Sequence, residues 1–255
     1  MSAMSDASHG AHEDDGHDPH LAHHFDSPEQ QYDSAKMGMW TFLVTEILFF
    51  SGLFCAYAVY RTLYPEKFEG AAKFLDTQLG AINTLVLLFS SLTMAWAVRC
   101  AQLGQKKGLI LTLGLTLLCA FGFLGIKYKE YAHKFHLGLL PGANYSAALH
   151  QTPEWLEEHG YDIHSHAPVP EEVETAALRK DGQSYALFFG VYFAMTGLHG
   201  IHVLAGILVI LFLLIRAMQG RIGSKNFVIV DNVGLYWHLV DLIWIFLFPL
   251  LYLIN

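Results

Sequence analysis

The 255-residue sequence predicts an all-α membrane protein: a bundle of five transmembrane helices with a disordered N-terminal tail and one long extracytoplasmic loop. Two observations lead there. Hydrophobic residues make up 53% of the chain and the mean hydropathy is +0.34, values ordinary for a polytopic membrane protein and high for a soluble domain. The apolar residues are also gathered into runs long enough to cross a bilayer, which takes about 20 residues. From Ser184 to Ile215 there is no Asp, Glu, Lys or Arg at all.

Residues 1–35 are rich in Asp, Ser, Gly and His and bury too little apolar surface to fold alone. His9, His12, His17, His20, His23 and His24 are read as a solvated low-complexity tail rather than a metal site. The segment has no apolar core of its own, so the first span is expected to direct insertion. The membrane domain occupies residues 36–255, with spans at about 37–60, 80–101, 108–130, 184–216 and 230–253. Each can close its own backbone hydrogen bonds, as hydrocarbon requires. Connections are short except residues 131–183, which hold the Pro153-Glu154-Trp155 turn and the acidic Glu171-Glu172-Val173-Glu174. Weak helical patterning from Pro153 to Lys180 predicts short surface helices. His133, His136, His150, His159, His164 and His166 are read as surface histidines of this loop.

Orientation follows from basic residues in the short loops. Arg99, Lys106 and Lys107 follow the second span, and Arg216, Arg221 and Lys225 the fourth, with no acidic residue among them. Both loops are therefore placed in the cytoplasm, with the N-terminus inside and the C-terminus outside. The formal net charge of -8 excludes a basic nucleic-acid surface. Cys55, Cys100 and Cys119 have no close spacing, so neither a disulfide framework nor a zinc site is expected.

Polar groups inside the spans are the candidates for function. Glu46 lies about nine residues, roughly 13 Å, into the first span. Desolvation disfavours its charge, so it needs a partner or a proton. It reads either as a proton-exchanging or lipid-binding group, or as a neutral acid packed between helices. His199 and His202 stand three apart, on one helical face, in Gly197-Leu198-His199-Gly200-Ile201-His202-Val203. The glycines at 197, 200 and 206 leave room for a second helix or a lipid headgroup. A haem would need histidines on facing helices at matching depth. His238, the other intramembrane histidine, lies nearer the cytoplasmic side, so the histidines are expected to bond to Glu46, to each other or to lipid phosphate. In Tyr236-Trp237-His238-Leu239-Val240-Asp241-Leu242-Ile243-Trp244, Trp237 and Trp244 share a face. His238 and Asp241 sit one turn apart as a possible pair, and Tyr236 is a candidate for an interfacial belt. In Lys127-Tyr128-Lys129-Glu130-Tyr131 the lysines are expected to snorkel, while Glu130 can meet the first or fourth span.

The string from Phe188 to Val203, the string from Tyr236 to Trp244, Asn83-Thr84-Leu85-Val86-Leu87-Leu88 and the Glu46 segment resemble the haem-copper oxidase subunit III family, that is, cytochrome c oxidase subunit III. The resemblance covers all five spans and stops short of the tail and much of the long loop. The family's larger form has seven spans, with a lipid-filled cleft between the first two and the rest. This chain resembles a short five-helix form that starts at the third; the other two are expected to be fused to the catalytic subunit or absent. The resemblance implies an accessory subunit without a redox centre, in partnership with subunit I, which holds two haems and a copper, and subunit II. It implies structural phospholipids as the bound molecules, and support of proton uptake, oxygen access and durability during turnover. Glu46 matches the family's carbodiimide-sensitive carboxylate. His199, His202, Trp237 and His238 match motif positions near its lipid and helix contacts. Asp241 and Glu130 join them as helix-contact candidates.

The residues support the accessory role separately. Two haems and a copper would need about six buried histidines, where the spans offer three, and a dinuclear copper site needs closely spaced cysteines with histidine. Competing readings are subunit III of a quinol oxidase or nitric oxide reductase, and a stand-alone proton-coupled carrier. The polar outer loop is a candidate dock for a cytochrome c or a neighbouring respiratory complex.

Overall fold

The computed structural model describes residues 25–136, 186–224 and 226–254. The described residues form six helices and no strand: α1 (Pro28–Leu63), α2 (Pro65–Ala72), α3 (Thr77–Gln102), α4 (Lys106–His136), α5 (Ala186–Met218) and α6 (Val228–Tyr252). All but α2 are long and apolar enough to cross a membrane. The histidines of the first 24 residues, and the surface helices and histidines expected between 137 and 183, lie outside the described residues.

Helix ends differ from the apolar runs where local chemistry continues the helix. The tail boundary expected at residue 35 moves back to α1's start at Pro28. Ser27 caps the helix, its Oγ accepting from Gln30 N at 3.2 Å, and Pro28 occupies the first turn, where its missing N–H costs nothing. Hydropathy alone does not register this polar start. At 36 residues α1 is roughly 54 Å long, more than the hydrocarbon thickness, so an end projects. Likewise α4 runs to His136 and takes residues 131–136, including His133, from the expected loop. Asp76 caps α3, accepting from Gln78 N and Leu79 N at 2.8 and 3.1 Å. Gly104 turns the chain from α3 into α4 at φ +67°, a left-handed conformation that suits glycine.

The helices α3, α4, α5 and α6 form a ring in which each packs on the next and α6 closes onto α3. Outside the ring α1 leans on α5 and α6. The end where α1, α4 and α6 begin is called the near end, and the opposite one the far end. The short α2 lies at the far end and plugs it with Phe68, whose ring meets Tyr57 and Phe188 edge-on at 5.5 and 5.3 Å.

Trp237 and Trp244 do share a face and are fully buried. Their indole N–H groups donate to Ser90 Oγ (3.0 Å) and Thr84 Oγ1 (3.1 Å), fixing the register of α6 on α3. Of the three glycines singled out in α5, Gly206 makes the close approach: a Cβ there would stand 2.6 Å from the Trp237 ring, while Gly200 faces open space. Gly206→Val is expected to overpack this contact and lower stability by about 1–3 kcal/mol, read as a drop in the melting temperature of the detergent-solubilised protein. Gly200→Val should leave it unchanged within error.

Candidate functional site

Glu46 and His202 meet across the α1–α5 seam, with Oε2 and Nε2 2.9 Å apart and both side chains mostly buried. This was one of the three partnerships open to the histidines. The other ring nitrogen, Nδ1, is 2.8 Å from the Leu198 carbonyl, which can only accept, so Nδ1 carries a proton. The contact to Glu46 then needs one more proton, held either on the carboxyl as a neutral pair or on the ring as an ion pair. The two residues therefore hold one proton between them. Tyr236 OH donates to the His202 carbonyl at 2.9 Å, and Phe50 lies edge-on to the imidazole at 5.3 Å. Tyr236 thus belongs to a helix contact and not to an interfacial belt, because its hydroxyl finds a backbone acceptor inside the protein.

His199 points elsewhere. Three residues along a helix turn the side chain by about 60°, enough to send His202 to α1 and His199 into the ring. There it packs against Phe123 and Trp244, at centroid distances of 5.6 and 5.3 Å. Neither of its nitrogens has a hydrogen-bond partner among the described residues. The same holds for the side-chain polar atoms of Asn83 and both carboxyl oxygens of Asp241. The candidate His238–Asp241 pair does not form: His238 Nδ1 lies 2.8 Å from Ser91 Oγ, since its ring swings toward α3 while Asp241 faces inward.

At the far end Glu130 is the centre of a buried polar cluster. Its Oε1 accepts from Lys134 Nζ (2.7 Å), Tyr192 OH (2.8 Å) and Tyr252 OH (2.5 Å), and its Oε2 from Lys127 Nζ (2.8 Å). Glu130 does meet the fourth span, through Tyr192, and the fifth through Tyr252. Lys127 does not snorkel. It is buried, and its ammonium stands 4.9–5.5 Å from the rings of Tyr131, Tyr192, Trp244 and Tyr252, where a carboxylate and four π faces replace water.

A cleft of about 810 Å³ opens at the near end between α1 and the α5–α6 pair. Tyr32, Ala35, Met39 and Phe42 line one wall, Ala205, Val209, Val233 and Tyr236 the other, and Arg216 and Arg221 supply two positive charges. Lys36 and Asp231 form an ion pair that joins α1 to α6 beside it. In the sequence the two arginines mark orientation; Arg216 directly after an uncharged span, with Arg221 five residues on, is also the signal for a charged rim.

The protein-family model described as cytochrome c oxidase subunit III matches residues 23–138 and 180–255. The chain belongs to the cytochrome c oxidase subunit III family. Its relatives include "Cytochrome c oxidase subunit 3" of Synechocystis sp., 29% identical over 87% of this chain and 76% of the relative. "Quinol oxidase subunit 3" of Bacillus subtilis is 29% identical over 92% of this chain and 97% of the relative. "Heme-copper oxidase subunit I+III" of Aeropyrum pernix is 27% identical over 92% of this chain but 24% of that longer protein. In this member of the subunit III family, Glu46 and His202 are joined directly, Trp237 and His238 tie α6 to α3, and Glu130 ties α4 to α5 and α6.

Glu130→Gln would leave Lys127 and Lys134 buried without their carboxylate and is expected to cost about 3–5 kcal/mol. Tyr252→Phe, which removes one of four donors, should cost about 1 kcal/mol. Thermal melting of the two variants in detergent checks the ranking.

Proposed function

We propose that this chain is the non-catalytic third subunit of a respiratory haem-copper terminal oxidase, in which it holds phospholipid and sustains proton uptake, oxygen access and durability during aerobic electron transport. The observation that carries the lipid role is the near-end cleft. Its walls are apolar and suit acyl chains, and Arg216 and Arg221 suit an anionic headgroup. The Arg216 guanidinium also lies 5.3 Å from the Phe212 ring, which orients it. Tyr236 lines the cleft and bonds to the His202 backbone, so a lipid seated there adjoins the Glu46–His202 unit.

The proposed partners are oxidase subunits I and II, with the haems and copper in those chains and none bound by this one. The fused subunit I+III relative supports the association with subunit I. The proposed location is the bacterial cytoplasmic membrane, with the near end, and hence the cleft, facing the cytoplasm. The segment after α4 then lies outside, where it is proposed to dock a cytochrome c or another respiratory complex. Cytochrome c is the proposed electron donor. The match to the Bacillus subtilis relative along almost its whole length favours a second reading in which the donor is a quinol. Assaying the purified complex with reduced cytochrome c and with a quinol separates the two.

Purification through a tag on this chain is expected to bring down a haem-bearing partner together with phospholipid; a partner-free, haem-free preparation would remove the proposal. Arg216→Ala combined with Arg221→Ala should lower the anionic phospholipid recovered with the complex, measured by mass spectrometry. Glu46→Gln should leave assembly intact, abolish carbodiimide labelling of this chain and reduce proton pumping or durability only in part. Complete loss of oxygen reduction in a fully assembled Glu46→Gln complex would contradict the accessory role.

A further inference from the structure

We propose that the outward strip of α6 between α1 and α3, centred on His238, is where a transmembrane helix of the oxidase's catalytic subunit docks, with a hydrogen bond to His238 Nε2. The inference rests on the subunit III reading above and names the surface through which that reading operates.

The strip is set by the packing. Helix α6 contacts α3 on one side and α1 on the other. Between them it presents Leu242, Ile245 and Phe246, 49%, 41% and 54% exposed. Leu88 of α3 flanks the strip, and on the α1 side Phe54 meets Phe246 at 6.4 Å. Such a surface alone would suit lipid tails as well as protein.

His238 decides between them. It stands ten residues beyond Val228, roughly 15 Å along α6, well inside a span that crosses a hydrocarbon core some 30 Å thick. Its Nδ1 is engaged with Ser91 Oγ at 2.8 Å. Its Nε2 has no hydrogen-bond partner among the described residues, and unlike the His199 nitrogens it is not enclosed. Either tautomer leaves Nε2 with one bond to make: as a donor if Ser91 donates to Nδ1, as an acceptor if Nδ1 donates to Ser91. Acyl chains offer neither, and an unmade hydrogen bond in hydrocarbon is costly. A neighbouring helix with a polar side chain at the same depth satisfies it. The outward faces of α4 and α5 present Leu118, Phe121, Leu204 and Leu208, which lipid covers without loss. The partner is the catalytic subunit because the Aeropyrum pernix relative, of which this chain matches 24%, is named subunit I+III, so counterparts of both subunits share one polypeptide.

The test uses the intact complex in its native membrane. A diazirine-bearing amino acid is placed at Leu88 or Leu242, and, for comparison, at Leu118 or Leu208. After illumination the tagged chain is purified. Crosslinks from Leu88 and Leu242 to the haem-bearing subunit are expected, and none from the other two positions. If the haem-bearing subunit co-purifies but crosslinks only through Leu118 or Leu208, the surface is wrong and the subunit reading stands. Adducts of Leu242 with lipid alone, or with a second copy of this chain, overturn the surface in the same way. If no haem-bearing subunit co-purifies, the reading itself fails. The polar contact is tested by His238→Phe against His238→Gln at matched membrane levels. Retention of the haem-bearing subunit through a detergent wash should fall about fivefold for His238→Phe and stay near the parent for His238→Gln. Equal retention by both would show that Nε2 makes no bond across the interface.

Discussion

Glu130 accepts four hydrogen bonds from side chains on three helices, and the far end of the bundle depends on that convergence. In a low dielectric a carboxylate is stable only when its lone pairs are filled and its charge is balanced. Lys127 and Lys134 do both from α4, while Tyr192 of α5 and Tyr252 of α6 complete the shell. Two ammoniums against one carboxylate leave a positive charge, which the faces of Tyr131, Tyr192, Trp244 and Tyr252 take up in place of water. Tyr57 adds α1 to the same end by donating to the Leu250 carbonyl. The far end is therefore tied through every long helix, α3 joining it as Thr77 Oγ1 donates to the Tyr252 carbonyl at 3.4 Å, and α3 is further locked to α6 by the two tryptophans.

The near end is built differently. There α1 is held to α6 by the Lys36–Asp231 ion pair and stands off far enough to leave the cleft. A helix held at both ends but standing off between its ties leaves a gap, and the gap carries charge where Arg216 and Arg221 line it. The Glu46–His202 unit sits between the two regimes, near the middle of α1. It adjoins the cleft through Tyr236, which lines the cleft and whose hydroxyl bonds to the same turn of α5. The cleft and the Glu46–His202 contact are thus neighbours in space.

Buried polar groups in the spans fall into two sets. Glu46 with His202, Ser91 with His238, Thr93 with Thr116 and the indoles with Ser90 and Thr84 are paired across helix seams. Asn83, His199 and Asp241 have no such partner among the described residues. The paired set fixes register. His238 belongs to both worlds: one ring nitrogen sets the α3–α6 register while the other reaches the outer surface.

The sequence by itself determined the five spans, because in hydrocarbon every backbone group must bond within its own helix and the apolar runs alone have the length to do so. It also determined the family, through two long strings on the fourth and fifth spans, and it marked Glu46, His199, His202, His238, Asp241 and Glu130 as the groups whose burial needs explaining. Their partners were decided only by the tertiary structure. Glu46 and His202 are 156 residues apart in the chain, and whether they meet depends on the rotation of α1 about α5, which no local pattern encodes. For the same reason Lys127 folds inward onto Glu130 instead of reaching for the interface, and His238 turns to Ser91 instead of to Asp241 one turn away. A helix's existence is a property of its own residues; the direction in which each of its polar side chains is satisfied is a property of its neighbours.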